Sequence, residues 1–173
     1  GAGILIQMPH KFLEAVAKEE HITLPPPGHY GVAMVFLPPD KQLRQKIEER
    51  FEQVVRAEGQ KFLGWRTVPT DNSTLGETAK SEEPEVRMAF VGRSPSIKDE
   101  LAFERKLYVI RHRLFNEVRY AGAPGGSFFY IPSFSSRTIV FKGMLTTAQV
   151  AEFYPDLSDP RMESALALVH SRF

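Results

Sequence analysis

Gly31-Val32-Ala33-Met34-Val35-Phe36-Leu37-Pro38-Pro39-Asp40-Lys41-Gln42-Leu43, continuing through Ile47, Phe51 and Val54 to Gly59, is the stretch on which the fold turns. The run from Gly31 to Leu37 is short, apolar and bounded by glycine and proline. That favours a strand buried on both faces. Asp40 can cap a helix in which Leu43, Ile47, Phe51 and Val54 recur at helical steps with charges between them, and Gly59 supplies the stop.

Downstream, Phe62 to Val68 reads as a strand, Leu75 to Glu85 as a polar connection, and Val86 to Val91 as a further strand ending at Gly92. Ser96 and Asp99 have capping-box spacing before the longest helix, whose apolar stripe is Phe103, Leu107, Ile110, Leu114 and Val118. Phe128 to Ile131 is another strand. From Val32 to Ile131 the order is strand, helix, strand, strand, helix, strand, which predicts a ferredoxin-like subregion over about residues 32–131.

Strands are also expected at residues 3–7, 138–142 and 165–169, with a helix from Pro9 carrying Phe12, Leu13 and Val16. Thr146 and Gln149 repeat the capping-box spacing before a short helix with Val150 and Phe153, and Pro155 and Pro160 mark the loop to the last strand. The three flanking strands need sheet partners for their backbone groups, which implies a second sheet. The class is α+β, with residues 1–173 forming one domain that reads as cut at both ends.

Composition removes several functions. Lys plus Arg is 22 against 21 for Asp plus Glu, so no charge excess favours nucleic acid or anionic lipid. The longest apolar run, Val32 to Leu37, is far below the roughly 20 residues of a membrane-spanning helix. The absence of cysteine excludes disulfides, thiolate metal sites and a cysteine nucleophile from this stretch. His10, His21, His29, His112 and His170 lack any metal-binding spacing, so no metal site is expected.

Arg105, Lys106, Arg111, His112, Arg113 and Arg119 share a helix with Glu100, Glu104 and Glu117 and read as a solvated face. The loop Gly122-Ala123-Pro124-Gly125-Gly126 lacks the Lys-Ser or Lys-Thr of a phosphate cradle. Ser133, Ser135 and Ser136 have no nucleophile-elbow context and receive no catalytic role. Glu82, Glu83 and Glu85 lie in the most loop-like segment and read as solubilising. Arg172 directly follows an apolar strand, in a position where its planar fork could take a carboxylate in two hydrogen bonds. A surface ion pair is the ordinary alternative for such a residue.

Three segments carry a resemblance: Gly1-Ala2-Gly3-Ile4-Leu5-Ile6-Gln7-Met8-Pro9-His10; Ser135-Ser136-Arg137-Thr138-Ile139-Val140-Phe141-Lys142-Gly143-Met144-Leu145; and Phe153-Tyr154-Pro155-Asp156-Leu157-Ser158-Asp159-Pro160-Arg161, resumed from Ser164 through Ala165-Leu166-Ala167-Leu168-Val169-His170-Ser171-Arg172-Phe173. Together they resemble the glutamine amidotransferase domain of the glutamate synthase large subunit. The resemblance implies a class II, N-terminal-nucleophile hydrolase domain, part of a four-layer α/β/β/α sandwich of antiparallel sheets.

It further implies hydrolysis of L-glutamine by an amino-terminal cysteine upstream of Gly1, with oxyanion donors from a segment downstream of Phe173. No catalytic residue is then expected within the chain, which alone should be inactive. Arg172 matches the arginine that grips the substrate carboxylate, while His170, Ser171, Gly1 and Gly3 match the frame of the motifs. FMN and an iron-sulfur cluster are implied only in other domains of the same large subunit. A small electron-donating subunit or ferredoxin would be a partner, and the location would be cytoplasm or plastid. A rival reading is a non-catalytic amidotransferase-like domain used for protein contacts or small-ligand regulation.

Overall fold

Alternate residues of the run Val32–Leu37 enter different cores. Val32 and Met34 join one buried cluster, whereas Ala33, Val35 and Leu37 join another. Successive side chains of a strand point to opposite faces, so this strand is the wall between two interiors. The structure, a computed structural model, describes residues 1–171. In chain order the elements are β1 (Ala2–Gln7), α1 (His10–Glu19), β2 (Tyr30–Leu37), α2 (Lys41–Ala57), β3 (Lys61–Thr67), α3 (Glu77–Ser81), β4 (Glu85–Gly92) and α4 (Glu100–Leu114). A π-helical segment (Phe115–Tyr120), β5 (Tyr130–Ser135), β6 (Thr138–Gly143), α5 (Thr147–Phe153), a 3-10 turn (Pro155–Ser158) and β7 (Ala167–Ser171) follow.

Four strands form an antiparallel sheet in the order β3-β4-β2-β5. β4 lies between β2 and β3 and runs against both, which is the split βαβ arrangement expected of a ferredoxin-like unit. One face of this sheet packs on the stripes of α2 and α4, including Ile47, Phe51, Phe103 and Leu107. The other face, with Val86, Met88 and Phe90, shares its core with α1, α5 and residues Ala2, Ile6, Ile139 and Phe141 of a second antiparallel sheet, β6-β1-β7. The leftover strands therefore pair with one another. The result is the α+β sandwich of antiparallel sheets.

Local signals hold with a few adjustments. The Asp40 carboxylate accepts from Leu43 N at 2.9 Å, and Thr146 with Gln149 completes a reciprocal capping box. Asp99, not Ser96, caps α4, accepting from Ala102 N at 2.8 Å, while Ser96 bonds to Ser94. The polar connection contains the single-turn helix α3. β5 runs further than expected and includes Pro132, which is tolerated because β5 is an edge strand with one unpaired side. The last strand lies two residues later than predicted.

Two buried polar clusters tie the sheets together. Between β5 and β6 the chain crosses from one sheet to the other. There Glu104 of α4 accepts from Ser135 Oγ at 2.9 Å, Ser136 N at 2.5 Å and Ser136 Oγ at 2.7 Å. On the other side, Arg66 of β3 donates two hydrogen bonds, 2.6 and 3.0 Å, to Asp156 in the 3-10 turn. The Arg66 guanidinium also lies 5.5 Å from the Phe12 ring, bringing α1 into the same joint. Two basic residues of α4 are structural: Lys106 and Arg113 both pair with Glu58 at 3.0 Å, clamping α4 to the end of α2.

Candidate functional site

β1 is the centre of the smaller sheet, and its two neighbours bring distant residues into one row. Gly3 is directly opposite Lys142 on β6 and directly opposite His170 on β7. Directly opposed residues project from the same face of a sheet. Lys142, Gly3 and His170 therefore form a cross-strand line, next to an apolar line of Val140, Leu5 and Leu168. Ala2 pairs with Gly143 on one side and Ser171 on the other.

The glycine is required by this packing. A Cβ at Gly3 would lie 2.6 Å from Lys142 Cβ, 2.9 Å from the Phe141 carbonyl oxygen and 3.0 Å from His170 Nε2. These separations are below van der Waals contact, and one involves backbone that has no room to yield. The imidazole edge of His170 thus occupies the space over Gly3. At Gly1 a Cβ would collide with the Gly143 carbonyl, so both glycines let β1 lie close against β6.

Gly1, Lys142 and His170 line the same cleft, of about 760 Å³. Its apolar floor includes Phe36, Tyr130 and Tyr154, and Glu82, Glu83 and Arg119 contribute charge to its lining. The Lys142 ammonium lies 5.2 Å from the centre of the Tyr130 ring, within cation-π range. Among the described residues its ammonium takes part in no ion pair. Tyr154 donates to the Lys142 carbonyl at 2.8 Å, which ties β6 to the loop after α5. Burial, and secondarily the charge of Glu83, holds the Tyr154 phenol above the usual tyrosine range.

In the loop leading to β7, Asp159 accepts from Arg161 Nε and Nη2 at 2.9 and 2.7 Å. The Arg161 hydrogen bonds hold its carboxyl down at about 2. Arg161 also sits 6.0 Å from the ring of Phe12, which Arg66 approaches as well. This loop is thus tied to β3 at Asp156 and held in a local turn by Asp159 and Arg161 before it enters β7.

Four of the residues expected from sequence, Gly1, Gly3, His170 and Ser171, are brought to one end of the smaller sheet. Arg172 lies outside the described residues. Ser133, Ser135 and Ser136 turn out to be structural: Ser133 Oγ accepts from Val140 N at 3.0 Å, and the other two are held by Glu104. Lys142, Tyr130 and Tyr154 were not singled out as site residues. Nothing local marks them, since their meeting depends on strand pairing across most of the chain. No group of three or more His, Cys, Asp or Glu side chains among the described residues could hold a metal ion. No helix among them is long and apolar enough to cross a membrane.

Two antiparallel sheets, and a glycine-rich central strand flanked by the strand that carries His170 and Ser171, define a class of protein. Residues 1–173 match the family described as class-II glutamine amidotransferases, and the chain belongs to that family. Along its whole length it is similar to particular proteins. It is 47% identical over 173 residues to the glutamate synthase [NADPH] large chain of Bacillus subtilis. It is 36% identical over 174 residues to the ferredoxin-dependent glutamate synthase 2 of Synechocystis, and 34% identical over 183 residues to the glutamate synthase [NADH] of Saccharomyces cerevisiae. The matches cover all of this chain but 11%, 11% and 8% of those relatives, so it spans about a tenth of their length.

Proposed function

We propose that this chain is part of the glutaminase domain of a glutamate synthase, hydrolysing L-glutamine to glutamate and ammonia for transfer to 2-oxoglutarate. The observation that carries the reading is the pairing of β1 with β7. It sets the glycine segment beside the His170-Ser171 frame at the mouth of a cleft, one residue before Arg172. Arg172 would take the substrate carboxylate with its bidentate fork, orienting the side-chain amide for attack.

The nucleophilic cysteine and the oxyanion donors would come from upstream of Gly1 and downstream of Phe173. The 173 residues alone would then release no ammonia. The chain's own donors do not fit an iron-sulfur cluster, because it has no cysteine to ligate iron. The cluster and FMN would belong to other domains, electrons arriving from a small subunit or ferredoxin. The compartment would be cytoplasm or plastid.

Steady-state glutaminase assays on the full-length protein test the reading. Charge-assisted hydrogen bonds contribute about 1.5–3 kcal/mol each, so losing the fork in Arg172→Ala should raise KM for glutamine by roughly a hundredfold. An unchanged KM would refute the assignment of Arg172. The non-catalytic alternative predicts no heat of glutamine binding to the full-length protein in calorimetry.

A further inference from the structure

β7 carries the residues that frame the site, yet little in its side chains fixes where along β1 it sits. All five of its residues, Ala167–Ser171, are exposed. The chain entering it reads Ala165-Leu166-Ala167-Leu168, one dipeptide written twice. In the observed register Ala167 is opposite Ile6, Leu168 opposite Leu5 and His170 opposite Gly3. Sliding β7 by two residues would put Ala165 opposite Ile6 and Leu166 opposite Leu5, the same side chains on the same faces. Apolar packing therefore discriminates weakly between the two registers.

The slide matters for what lies beyond. Two residue rises amount to about 6.7 Å. His170 would leave Gly3, whose missing side chain makes room for the imidazole edge, and Leu168 would arrive there instead. Arg172, which follows Ser171 in the chain, would be carried the same distance, well beyond hydrogen-bond reach of a ligand held in place.

Two hydrogen bonds at the entrance to β7 oppose the slide. Gln7 N donates to Ser164 Oγ at 3.0 Å, and Gln7 Oε1 accepts from Ala165 N at 3.1 Å. Neither bond would survive a displacement of two residues. Ser164 Oγ in turn donates to the Leu166 carbonyl at 2.5 Å, which fixes the turn into the strand. The neighbouring ion pair of Lys11 with Glu163 is 66% exposed at both side chains and contributes little.

We propose that Gln7 and Ser164 are positioning residues that lock β7 in the register presenting its far end to the substrate. The inference rests on the reading of Arg172 as the carboxylate-binding residue, through which the lock acts.

Glutaminase kinetics on the full-length protein read the lock. Without it part of the population is out of register, so apparent affinity falls with the competent fraction while the saturated rate is kept. Gln7→Met should raise KM for glutamine about fivefold with kcat nearly unchanged, and Ser164→Ala should do the same. Gln7→Glu, which keeps an acceptor for Ala165 N, should stay near the wild type. A suppressor separates register from general loosening. Leu166→Asp places a carboxylate opposite Leu5 only in the slid strand, so combining it with Gln7→Met should return KM to that of Leu166→Asp alone. An unchanged KM in Gln7→Met and Ser164→Ala, an equal rise in Gln7→Glu, or failure of Leu166→Asp to suppress overturns the proposal.

Hydrogen exchange keeps this failure distinct from failure of the Arg172 reading. A strand that changes register must first detach, so the peptide spanning β7 should exchange about tenfold faster in Gln7→Met than in the wild type or Gln7→Glu. If Arg172→Ala leaves KM unchanged, the Arg172 reading fails and exchange alone judges the lock. Faster exchange then supports it, and unchanged exchange overturns it.

Discussion

Replacing Asp156 by alanine tests the joint between the four-stranded sheet and the loop that feeds β7. The Arg66 and Asp156 side chains are only 9% and 6% exposed, and two hydrogen bonds of 2.6 and 3.0 Å connect them. Removing the carboxylate leaves a buried guanidinium whose other contacts, Met88 Sδ at 3.7 Å and the face of Phe12, replace little of the lost charge interaction. Breaking a buried pair in this way costs about 3–5 kcal/mol. For a domain of this size each kcal/mol lowers Tm by about 2–4 °C, so the fall should be roughly 6–20 °C.

Removing both charges has a different expected result. In Arg66→Met with Asp156→Leu no unpaired charge remains, and an apolar pair of similar volume can match or exceed a buried ion pair. Thermal and urea unfolding of the wild type, Arg66→Met, Asp156→Leu and the double complete the cycle, with Asp156→Ala measured alongside. Because the pair is out of reach of mobile ions, the loss should change little with added salt. A fall of less than about 2 °C for the single would refute the reasoning, as would a double variant no more stable than D156A.

Glu104→Ala should strip three hydrogen bonds from the corner between β5 and β6 and lower stability by about 2–4 kcal/mol, read as a lower urea midpoint. Glu104→Gln, which keeps the shape and part of the acceptor capacity, should lose less. The Asp159 carboxyl, held near 2 by Arg161, is depressed below its unfolded value near 3.9. Its contribution to stability is therefore present above about pH 4 and lost as pH falls toward 2. In Arg161→Ala the carboxyl should titrate higher than in the wild type yet stay below its unfolded value, because the backbone N–H of residue 161 still donates to it and Arg66 remains nearby, as followed by carbon-13 NMR. Tyr154→Phe should cost about 1 kcal/mol through the lost bond to the Lys142 carbonyl, with near-UV spectra and Tm as readouts. In the folded wild type, the Tyr154 phenol should show no ionisation as pH passes its ordinary value of about 10.

How much of this was legible in the amino-acid order depends on how far each interaction reaches. The stripe Ile47-Phe51-Val54, the Asp40 cap and the Thr146-Gln149 box were readable because a helix is built from contacts three and four residues apart. The order from Val32 to Ile131 led to the ferredoxin-like unit because short connections and hairpins leave few topologies. The π-helical segment was missed, since its sequence carries the same apolar spacing as the α-helix before it. Ser96 was misjudged as part of a capping box because a spacing rule cannot choose between two polar residues that could both serve the same helix end.

At the site, resemblance of motifs singled out Gly1, Gly3, His170 and Ser171, but their adjacency came from pairing that no local pattern encodes. Lys142 reads in sequence only as the last residue of a strand over residues 138–142. Only the antiparallel register of β1 with both β6 and β7 puts it in one row with Gly3 and His170. The same holds for Arg66 with Asp156 and for Glu104 with Ser136, joined across 90 and 32 positions. By itself, then, the sequence determined which segments are helices and strands and which faces are apolar, because those follow from short-range periodicity and caps. The folded chain alone decided which charges meet and where a cleft opens, because such contacts exist only after distant strands have satisfied one another's backbone groups.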